Sequence, residues 1–188
     1  MKILVPISLL FFACTEPAVD NSTTAVTDST NTATDTVTKT VAYSSEEKVI
    51  RTGNTTPGEL LAYAQSLIGI PYKYGSTDPA VGFDCSGFIT HVFNHFNINV
   101  PRSSIDFTNV KREIDINSAK PGDIVLFTGT DSTIRDVGHM GIVNSIDNSV
   151  VSFIHSSSGK ANGVTITPMN KYYLGRFVKV LRIFRQND

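Results

Sequence analysis

The chain has 188 residues, with 16 basic and 17 acidic side chains and a formal net charge of −1 at pH 7. This balance offers no basic surface for nucleic acid, so we expect no nucleic-acid partner. The length suits one domain with a tail, which we expect to be a monomer, and two cysteines are too few for a disulfide scaffold.

The N-terminus has the pattern of a lipoprotein signal peptide, predicted over residues 1–13. Its apolar run at residues 3–12 is too short for a bilayer span of roughly 20 residues. Ala13-Cys14 is typical of the end of a lipobox, so we predict a lipid anchor on Cys14, with a plain secretory signal as the alternative. Thr15 replaces the Asp that favours inner-membrane retention, so we expect a bacterial envelope protein, anchored in the outer membrane and facing the periplasm.

Residues 14–50 are predicted to be a disordered tether. Thr and Ser dominate this segment and no helical or strand period persists, so it cannot bury enough apolar area to offset its ordering entropy. Such a tether gives a membrane-anchored domain reach towards an extended target. We place the folded domain at residues 51–188.

Two helices are predicted at the start of that domain. The first begins with a capping box, Thr56 to Glu59, and carries apolar residues at helical spacing as far as Ile68. The second begins at Cys85 and has one broad apolar face that includes Phe88. A cysteine in the first turn of a helix lies near free N–H groups and the positive end of the helix dipole, so we expect a stabilised thiolate.

Four strands are predicted in the C-terminal half of the chain. They are rich in β-branched and aromatic side chains and cover residues 123–127, 139–146, 150–156 and 177–184. Helices followed by consecutive strands predict an α+β fold, in which the N-terminal helices pack on a central antiparallel β-sheet.

The pairing of the second and third predicted strands decides whether two histidines meet. If Val143 faces Val151, then His139 lies opposite His155, with Cβ atoms about 5 Å apart on one face of the sheet. A strict two-residue loop at residues 147–148 would put the rings on opposite faces. The arrangement therefore requires a longer loop or a bulge.

Cys85, His139 and His155 have the residue types and the order of a cysteine-based catalytic centre. A thiol needs a base to become a thiolate at neutral pH, and the base needs a group that holds its tautomer. The alternatives for Cys85 are a buried structural thiol and a disulfide with Cys14.

His91 and His95 lie four residues apart on the second predicted helix, a spacing that can bind a metal ion. The pair lacks the glutamate of a zinc-protease helix and stands away from the apolar face, so we expect a solvated polar face instead. We predict neither a metal site nor a cofactor.

Six short motifs together resemble the NlpC/P60 family of cell-wall cysteine peptidases. They lie in chain order at residues 71–75 (PYKYG), 83–88 (FDCSGF), 101–104 (PRSS), 121–127 (PGDIVLF), 138–143 (GHMGIV) and 154–155 (IH). The resemblance runs from about Pro57 to the end of the chain and implies the papain-like fold of that family. The family often has Gly at the position of Ser76 and Gln at that of Phe107, which are not catalytic positions.

The resemblance implies four catalytic residues. Cys85 corresponds to the nucleophile, His139 to the base that activates it, and His155 to the polar group that orients the base. Tyr72 corresponds to a tyrosine beside the oxyanion site. Four further residues correspond to positions that hold the substrate peptide or line the cleft: Asp84, Ser86, Arg102 and Ser104.

The resemblance also implies a function. It points to an endopeptidase that cuts the stem peptides of peptidoglycan, with peptidoglycan and the membrane as partners, and it favours the bond between γ-D-glutamate and the diamino acid. One alternative is a D,D-endopeptidase that cleaves cross-links between D-Ala and diaminopimelate. An alternative of another class is an envelope lipoprotein that binds the wall without cleaving it.

Overall fold

The computed structural model describes residues 48–188. The predicted signal peptide (1–13), the anchor at Cys14 and the tether as far as residue 47 lie outside the described residues. The helices and strands, in chain order, are α1 (Pro57–Ser66), β1 (Thr77–Asp78), β2 (Gly82–Phe83), α2 (Cys85–His95), β3 (Glu113–Ile114), β4 (Ile124–Thr128), β5 (Val137–Asp147), β6 (Val150–Ser157), β7 (Gly163–Pro168), α3 (Lys171–Arg176) and β8 (Phe177–Leu181).

One antiparallel sheet organises the described part of the chain, in the order β3-β8-β4-β5-β6-β7. The short strands β1 and β2 pair with each other and lead directly into α2. Between residues 48 and 188, no helix is long and apolar enough to cross a bilayer. The predicted α+β fold, with the first helices packed on a central antiparallel sheet, is confirmed.

Helix α1 begins at the predicted capping box. Thr56 Oγ1 accepts a hydrogen bond from the Glu59 N–H at 3.2 Å, and the Glu59 carboxylate accepts one from the Thr56 N–H at 2.8 Å. A cap of this kind stabilises a helix by about 1 kcal/mol. The helix ends at Ser66, earlier than the apolar pattern predicts, and Ile68 is 49% exposed.

Helix α2 buries the face that its sequence predicts. Phe88, Ile89, Val92 and Phe93 are fully buried and join one hydrophobic cluster with the sheet. Burial of such side chains contributes roughly 1.5–3 kcal/mol each. Gly87 permits the close approach of the preceding loop, because a Cβ there would lie 2.0 Å from the Ser76 carbonyl oxygen. These contacts fix the first turn of α2, where Cys85 lies.

Strand β4 is buried on both faces and divides the hydrophobic core in two. Ile124 and Leu126 pack with the helices on one face, whereas Val125 and Phe127 pack with β6 and α3 on the other. The second cluster includes Phe153 and Tyr173, and these aromatic rings pack against the histidines of β5 and β6.

The β5–β6 hairpin carries a bulge that the sequence did not locate. Asn148 and Ser149 form its two-residue turn, both with positive φ (50° and 66°), as a type I′ turn requires. A register shift between Val143 and Ser145 pairs Val143 with Phe153, so the predicted pairing with Val151 is wrong. The required bulge is present, and it returns the two histidines to one face of the sheet.

The four predicted strands are present as β4, β5, β6 and β8, but β3, β7 and α3 were not predicted. Strand β7 has only intermediate or exposed residues between Val164 and its end, because it forms one edge of the sheet. The segment Val164-Thr165-Ile166-Thr167 does alternate apolar and polar β-branched residues, so the strand signal was present in the sequence but was missed in so short a segment.

Candidate active site

Cys85 is the first residue of α2, and its sulfur faces the start of β5. Asp84 is the N-cap residue in extended conformation (φ −80°, ψ 178°), and its side chain accepts from the Gly87 N–H. Cys85 Sγ lies 3.9 Å from the carbonyl oxygen of Gly138, the residue before His139. The helix cap therefore sets the direction of the thiol towards the strand that carries His139.

His139 and His155 form a direct hydrogen-bonded pair. His139 Nε2 lies 2.8 Å from His155 Nδ1, and the two rings meet edge to face at an interplanar angle of 78°. Because Nε2 of His139 is committed to His155, Nδ1 is the nitrogen that can take a proton from a nucleophile. His155 is completely buried. The sequence prediction that these two imidazoles come together is therefore confirmed, although through a different register.

The resting thiol is neutral rather than ionised. Burial, followed by the neighbouring Asp84 carboxylate, raises the pKa of Cys85 to about 11. Hydrogen bonds from the N–H groups of Ser86, Met140 and Cys85 itself act in the opposite direction, but they do not offset burial. The helix start thus favours the thiolate in the predicted direction, but burial outweighs it.

The two histidines are neutral as well. Burial lowers the pKa of His139 well below its ordinary 6.5, and His155 and Arg176 add to this effect. Burial, followed by the charge of Arg176, lowers the pKa of His155 to about 4. At neutral pH the site therefore holds a thiol and two uncharged imidazoles, so the base is free to accept a proton.

Arg176 is the nearby cation, and the sequence did not reveal it. The residue is 6% exposed; Nη2 donates to the Thr128 carbonyl at 2.8 Å and Nη1 to the Tyr172 hydroxyl at 2.6 Å. Its guanidinium lies 4.9 Å and 5.7 Å from the ring centroids of Tyr172 and Tyr173. Among the described residues it has no carboxylate partner, and its Nε has no hydrogen bond. Arg176 reaches the site because it is the last residue of α3, a helix that the sequence did not predict.

Asp84, Ser86 and Arg102, three of the predicted substrate-binding residues, are bound to one another. Arg102 Nη2 lies 3.3 Å from Asp84 Oδ2, and Nη1 donates to Ser86 Oγ at 3.0 Å. Gly75 takes part through both backbone groups, because its N–H donates to Asp84 at 2.8 Å and its carbonyl accepts from Arg102 at 3.0 Å. The side chain of Arg102 remains 45% exposed, so the network keeps one cation open to solvent.

Tyr72 and Ser104 occupy different surroundings. Tyr72 lies beside β2 and lines the same cavity as Cys85. Partial burial, followed by the negative charge that Cys85 carries when ionised, raises the pKa of Tyr72, so its O–H stays available as a donor. Ser104 precedes the 3₁₀ helix Ile105–Asn109, makes no capping hydrogen bond and does not line that cavity.

The cavity around the thiol has a volume of about 1030 Å³. Cys85, His139 and His155 lie on its wall together with Lys160 and Arg176. Among the described residues that line it there are two cations and no carboxylate, so the cavity is suited to a peptide that carries carboxylates. Lys160 lies in the β6–β7 connection and, like Arg176, was not predicted.

The sequence predicted that His91 and His95 lie on a solvated face, but the two histidines do not form a solvated pair. His91 is half-buried; its Nε2 lies 3.0 Å from the Tyr63 hydroxyl, and its ring packs on Phe83. His95 is exposed and stacks on the Tyr63 ring with a centroid distance of 3.6 Å. Within residues 48–188, no group of three His, Cys, Asp or Glu side chains is placed to hold a metal ion.

Comparison with known proteins identifies close likenesses in sequence. Residues 69–182 match the model of the NlpC/P60 family. The chain is similar to a gamma-DL-glutamyl hydrolase of Bacillus subtilis (31% identity, covering 71% of this chain and 32% of the relative) and to the probable peptidoglycan endopeptidase LytE of the same organism (40%, covering 61% and 30%). A probable endopeptidase NlpC homolog of Haemophilus influenzae is 34% identical over 58% of this chain and 52% of its own length. The chain thus spans about a third to a half of these relatives.

Solved structures agree with the fold. An NlpC/P60 family protein from Bacillus cereus superposes with a TM-score of 0.61 at 25% identity, covering 70% of this chain and 41% of that one. The NlpC/p60 domain of the peptidoglycan hydrolase SagA superposes with a TM-score of 0.56 at 21% identity, covering 68% and 99%. The predicted papain-like fold is therefore confirmed.

Proposed function

Because the chain belongs to the NlpC/P60 family, we propose that it is a cysteine-type endopeptidase that hydrolyses stem peptides of peptidoglycan at the bond between γ-D-glutamate and the diamino acid. The observation that carries this proposal is the hydrogen bond of 2.8 Å between His139 and His155, in the cavity that Cys85 also lines. A nucleophile, a base and an orienting group share one cavity, as acyl transfer requires.

The reaction begins with the neutral thiol of Cys85. As Sγ attacks the scissile carbonyl carbon, the thiol proton passes to Nδ1 of His139. The other nitrogen of that ring, Nε2–H, donates to Nδ1 of His155, and this hydrogen bond holds the ring in place. The tetrahedral oxyanion accepts hydrogen bonds from backbone N–H groups in the first turn of α2 and from the hydroxyl of Tyr72. Removal of one such donor costs on the order of 10²–10³ in kcat.

The second half of the reaction reverses the proton path. The C–N bond breaks while His139 returns its proton to the leaving amine, which leaves a thioester on Cys85. Water then attacks the thioester carbon and gives one proton to His139. The thioester collapses, the proton returns to sulfur, and the new carboxylic acid departs.

The charges on the cavity wall are suited to an acidic stem peptide. Diaminopimelate in a stem keeps a free carboxylate, and among the described residues Lys160 and Arg176 are the cations on the cavity wall. The Asp84–Arg102 network, next to Cys85 in the chain and outside the lining of the cavity, is suited to the polar N-terminal part of the acyl group. The similarity to a gamma-DL-glutamyl hydrolase supports the γ-glutamyl linkage.

The proposal is tested by digestion of purified peptidoglycan with the full chain in detergent, with Cys85→Ala as the matched control. Chromatography with mass spectrometry should show stems cut after γ-D-glutamate, and only with the unaltered chain. Conversion of cross-linked dimers to monomers would indicate the D,D-endopeptidase instead. A complete absence of Cys85-dependent products, together with retained binding to peptidoglycan, would indicate the non-catalytic wall-binding lipoprotein.

We propose in addition that the protein acts in the cell envelope, held to the outer membrane by lipid on Cys14. The motif at the N-terminus and the cell-wall relatives support this placement. Mass spectrometry of the mature N-terminus should find an acylated Cys14, and Cys14→Ser should release the protein into the soluble periplasmic fraction. An unmodified N-terminus elsewhere in the chain would contradict the anchor.

A further inference from the structure

The hydrogen-bonded chain that begins at His139 continues past His155. His155 Nε2 lies 2.9 Å from Thr167 Oγ1 on the neighbouring strand β7. We propose that Thr167 is a positioning residue that fixes the tautomer of His155, and through it the tautomer of His139, in the hydrolysis proposed above. The inference rests on that proposed function for its kinetic consequence, but its structural part can be measured without substrate.

The donors and acceptors of these three side chains fix where each hydrogen lies. A neutral imidazole has one N–H donor and one acceptor nitrogen. His139 can take the thiol proton only if its Nδ1 carries the lone pair, so its Nε2 must carry hydrogen and donate to His155 Nδ1. His155 must then carry its own hydrogen on Nε2, and that N–H points at Thr167 Oγ1, which accepts it.

Burial makes this last acceptor important. His155 is completely buried, so an Nε2–H without a partner would be left without water as well. Unpaired buried N–H groups are rarer in proteins than acceptors that lack a donor. Without an acceptor at position 167, the hydrogen of His155 would therefore move to Nδ1. It would then face His139 Nε2 and force the hydrogen of His139 onto Nδ1, where no proton can be accepted.

The tautomer of His139 matters because the resting site is neutral. A preformed thiolate–imidazolium pair would carry hydrogen on both nitrogens of His139, and no tautomer would need to be selected. Here the thiol and both imidazoles are uncharged at neutral pH. The wrong tautomer of a catalytic histidine is known to reduce kcat strongly while the geometry stays intact.

Thr165 offers a matched control on the same strand. Thr165 is the direct cross-strand partner of His155, whereas Thr167 pairs with Phe153, yet the ring of His155 bonds to Thr167. Thr165 Oγ1 instead lies 3.5 Å from the Ile166 carbonyl oxygen. The two threonines have the same type, strand and side of the sheet, but only one of them bonds to the histidine.

The direct test is the tautomer itself, measured on the full chain in detergent with ¹⁵N-labelled histidine. Two-bond ¹⁵N–¹H correlation spectra distinguish Nε2–H from Nδ1–H rings, and His139→Gln and His155→Gln assign the signals. We expect Nε2–H for both rings in the unaltered chain, in Thr167→Ser and in Thr165→Val. We expect a substantial Nδ1–H population for His155 in Thr167→Val. Spectra of Thr167→Val that match the unaltered chain would overturn the proposal.

Kinetics provide the second readout. Valine is isosteric with threonine and favourable in strands, so Thr167→Val should keep the fold; Thr167→Ala should reproduce its effects should valine pack badly. We expect kcat to fall on the order of 10- to 100-fold with KM nearly unchanged, and Thr167→Ser to restore it. Equal kinetic losses in Thr167→Ser and Thr167→Val would reject the hydroxyl's role. Hydrolysis missing from every variant, including the unaltered chain, would reject the proposed function but leave the spectra to decide the tautomer.

Discussion

Two polar networks meet at Cys85, and they differ in both charge and burial. The network of Asp84, Ser86 and Arg102 is an ion pair with supporting hydrogen bonds, and 45% of the Arg102 side chain is exposed. The network of His139 and His155 is uncharged, and His155 is completely buried. One network is able to contact a charged substrate, whereas the other is able to move a proton.

The difference follows from the cost of burying charge. In the ion pair, Asp84 is buried whereas the Arg102 end is solvated, so the cation stays available to a ligand. A buried imidazole avoids the cost of desolvation by remaining neutral, which lowers its basicity but leaves its lone pair unprotonated and free to accept a proton at neutral pH. The two networks can therefore be altered separately, and each substitution should change one property.

The largest effect should come from removal of the base. His139→Gln keeps a polar side chain of similar reach but cannot take a proton, so we expect kcat to fall on the order of 10²–10⁴. Release of stem-peptide fragments from peptidoglycan measures this. His95→Gln, at an exposed histidine on α2, is the control and should keep the rate of the unaltered chain. A similar loss in both variants would point to a general defect in folding.

The next effect concerns stability below neutral pH. The pKa of His155 falls from 6.5 to about 4 on folding, so above pH 6.5 it contributes no pH dependence. As the pH drops from 6.5 to about 4, the unfolded chain takes up a proton that the folded chain does not, which lowers the free energy of unfolding by about 3 kcal/mol. The pKa of His139 is lowered as well and acts in the same direction.

Urea unfolding at a series of pH values measures this dependence. His155→Asn should reduce the slope of the curve between pH 6.5 and 4, because asparagine does not titrate and only the contribution of His139 remains. A curve of unchanged slope in that variant would show that other groups cause the loss of stability.

How much of this contrast is visible in the sequence depends on the range of the interactions. The capping box, the first turn at Cys85 and the apolar face of α2 are local features, and they were predicted. The proximity of His139 and His155 was predicted, but only on the assumption of a bulge. The location of that bulge could not be predicted, because it depends on how β5 and β6 pair. Packing between strands decides such positions, and residue spacing does not encode them.

Residues that reach the site from unpredicted elements were missed. Thr167 lies on the exposed edge strand β7, and Arg176 ends the short helix α3. Arginine is rarely buried, so nothing in its residue type predicted that Arg176 lies inside the protein beside the site. The predicted thiolate failed for a related reason, because burial of Cys85 outweighs the helix start that the sequence does reveal.

A smaller effect is expected where the charged network acts on the thiol. The Asp84 carboxylate is the second cause, after burial, of the raised pKa of Cys85. Asp84→Asn removes the negative charge while asparagine still caps the helix, so the pKa of Cys85 should fall below about 11. The rate of iodoacetamide alkylation as a function of pH measures it, with Asp106→Asn as a control. An unchanged profile would show that the charge of Asp84 does not reach the sulfur.

The smallest effect should come from Lys160 on the cavity wall. A solvent-exposed charge contributes about 0.2–1 kcal/mol to an ionic contact, so Lys160→Gln should raise KM roughly 1.5- to 5-fold with kcat unchanged. The increase should shrink at high salt. Lys171→Gln, at the start of α3, is the control. A fall in kcat rather than a rise in KM would assign Lys160 to the chemical step instead of to binding.

The most direct test of the nucleophile is capture of the acyl-enzyme on Cys85. L-Ala-γ-D-Glu p-nitroanilide has a good leaving group, so acylation should outpace deacylation and the thioester should accumulate before an acid quench. Peptide mass spectrometry should then find the L-Ala-γ-D-Glu acyl group on Cys85 of the unaltered chain and no adduct in Cys85→Ala. Release of p-nitroaniline by Cys85→Ala at the unaltered rate, or an acyl group on another residue, would contradict the account.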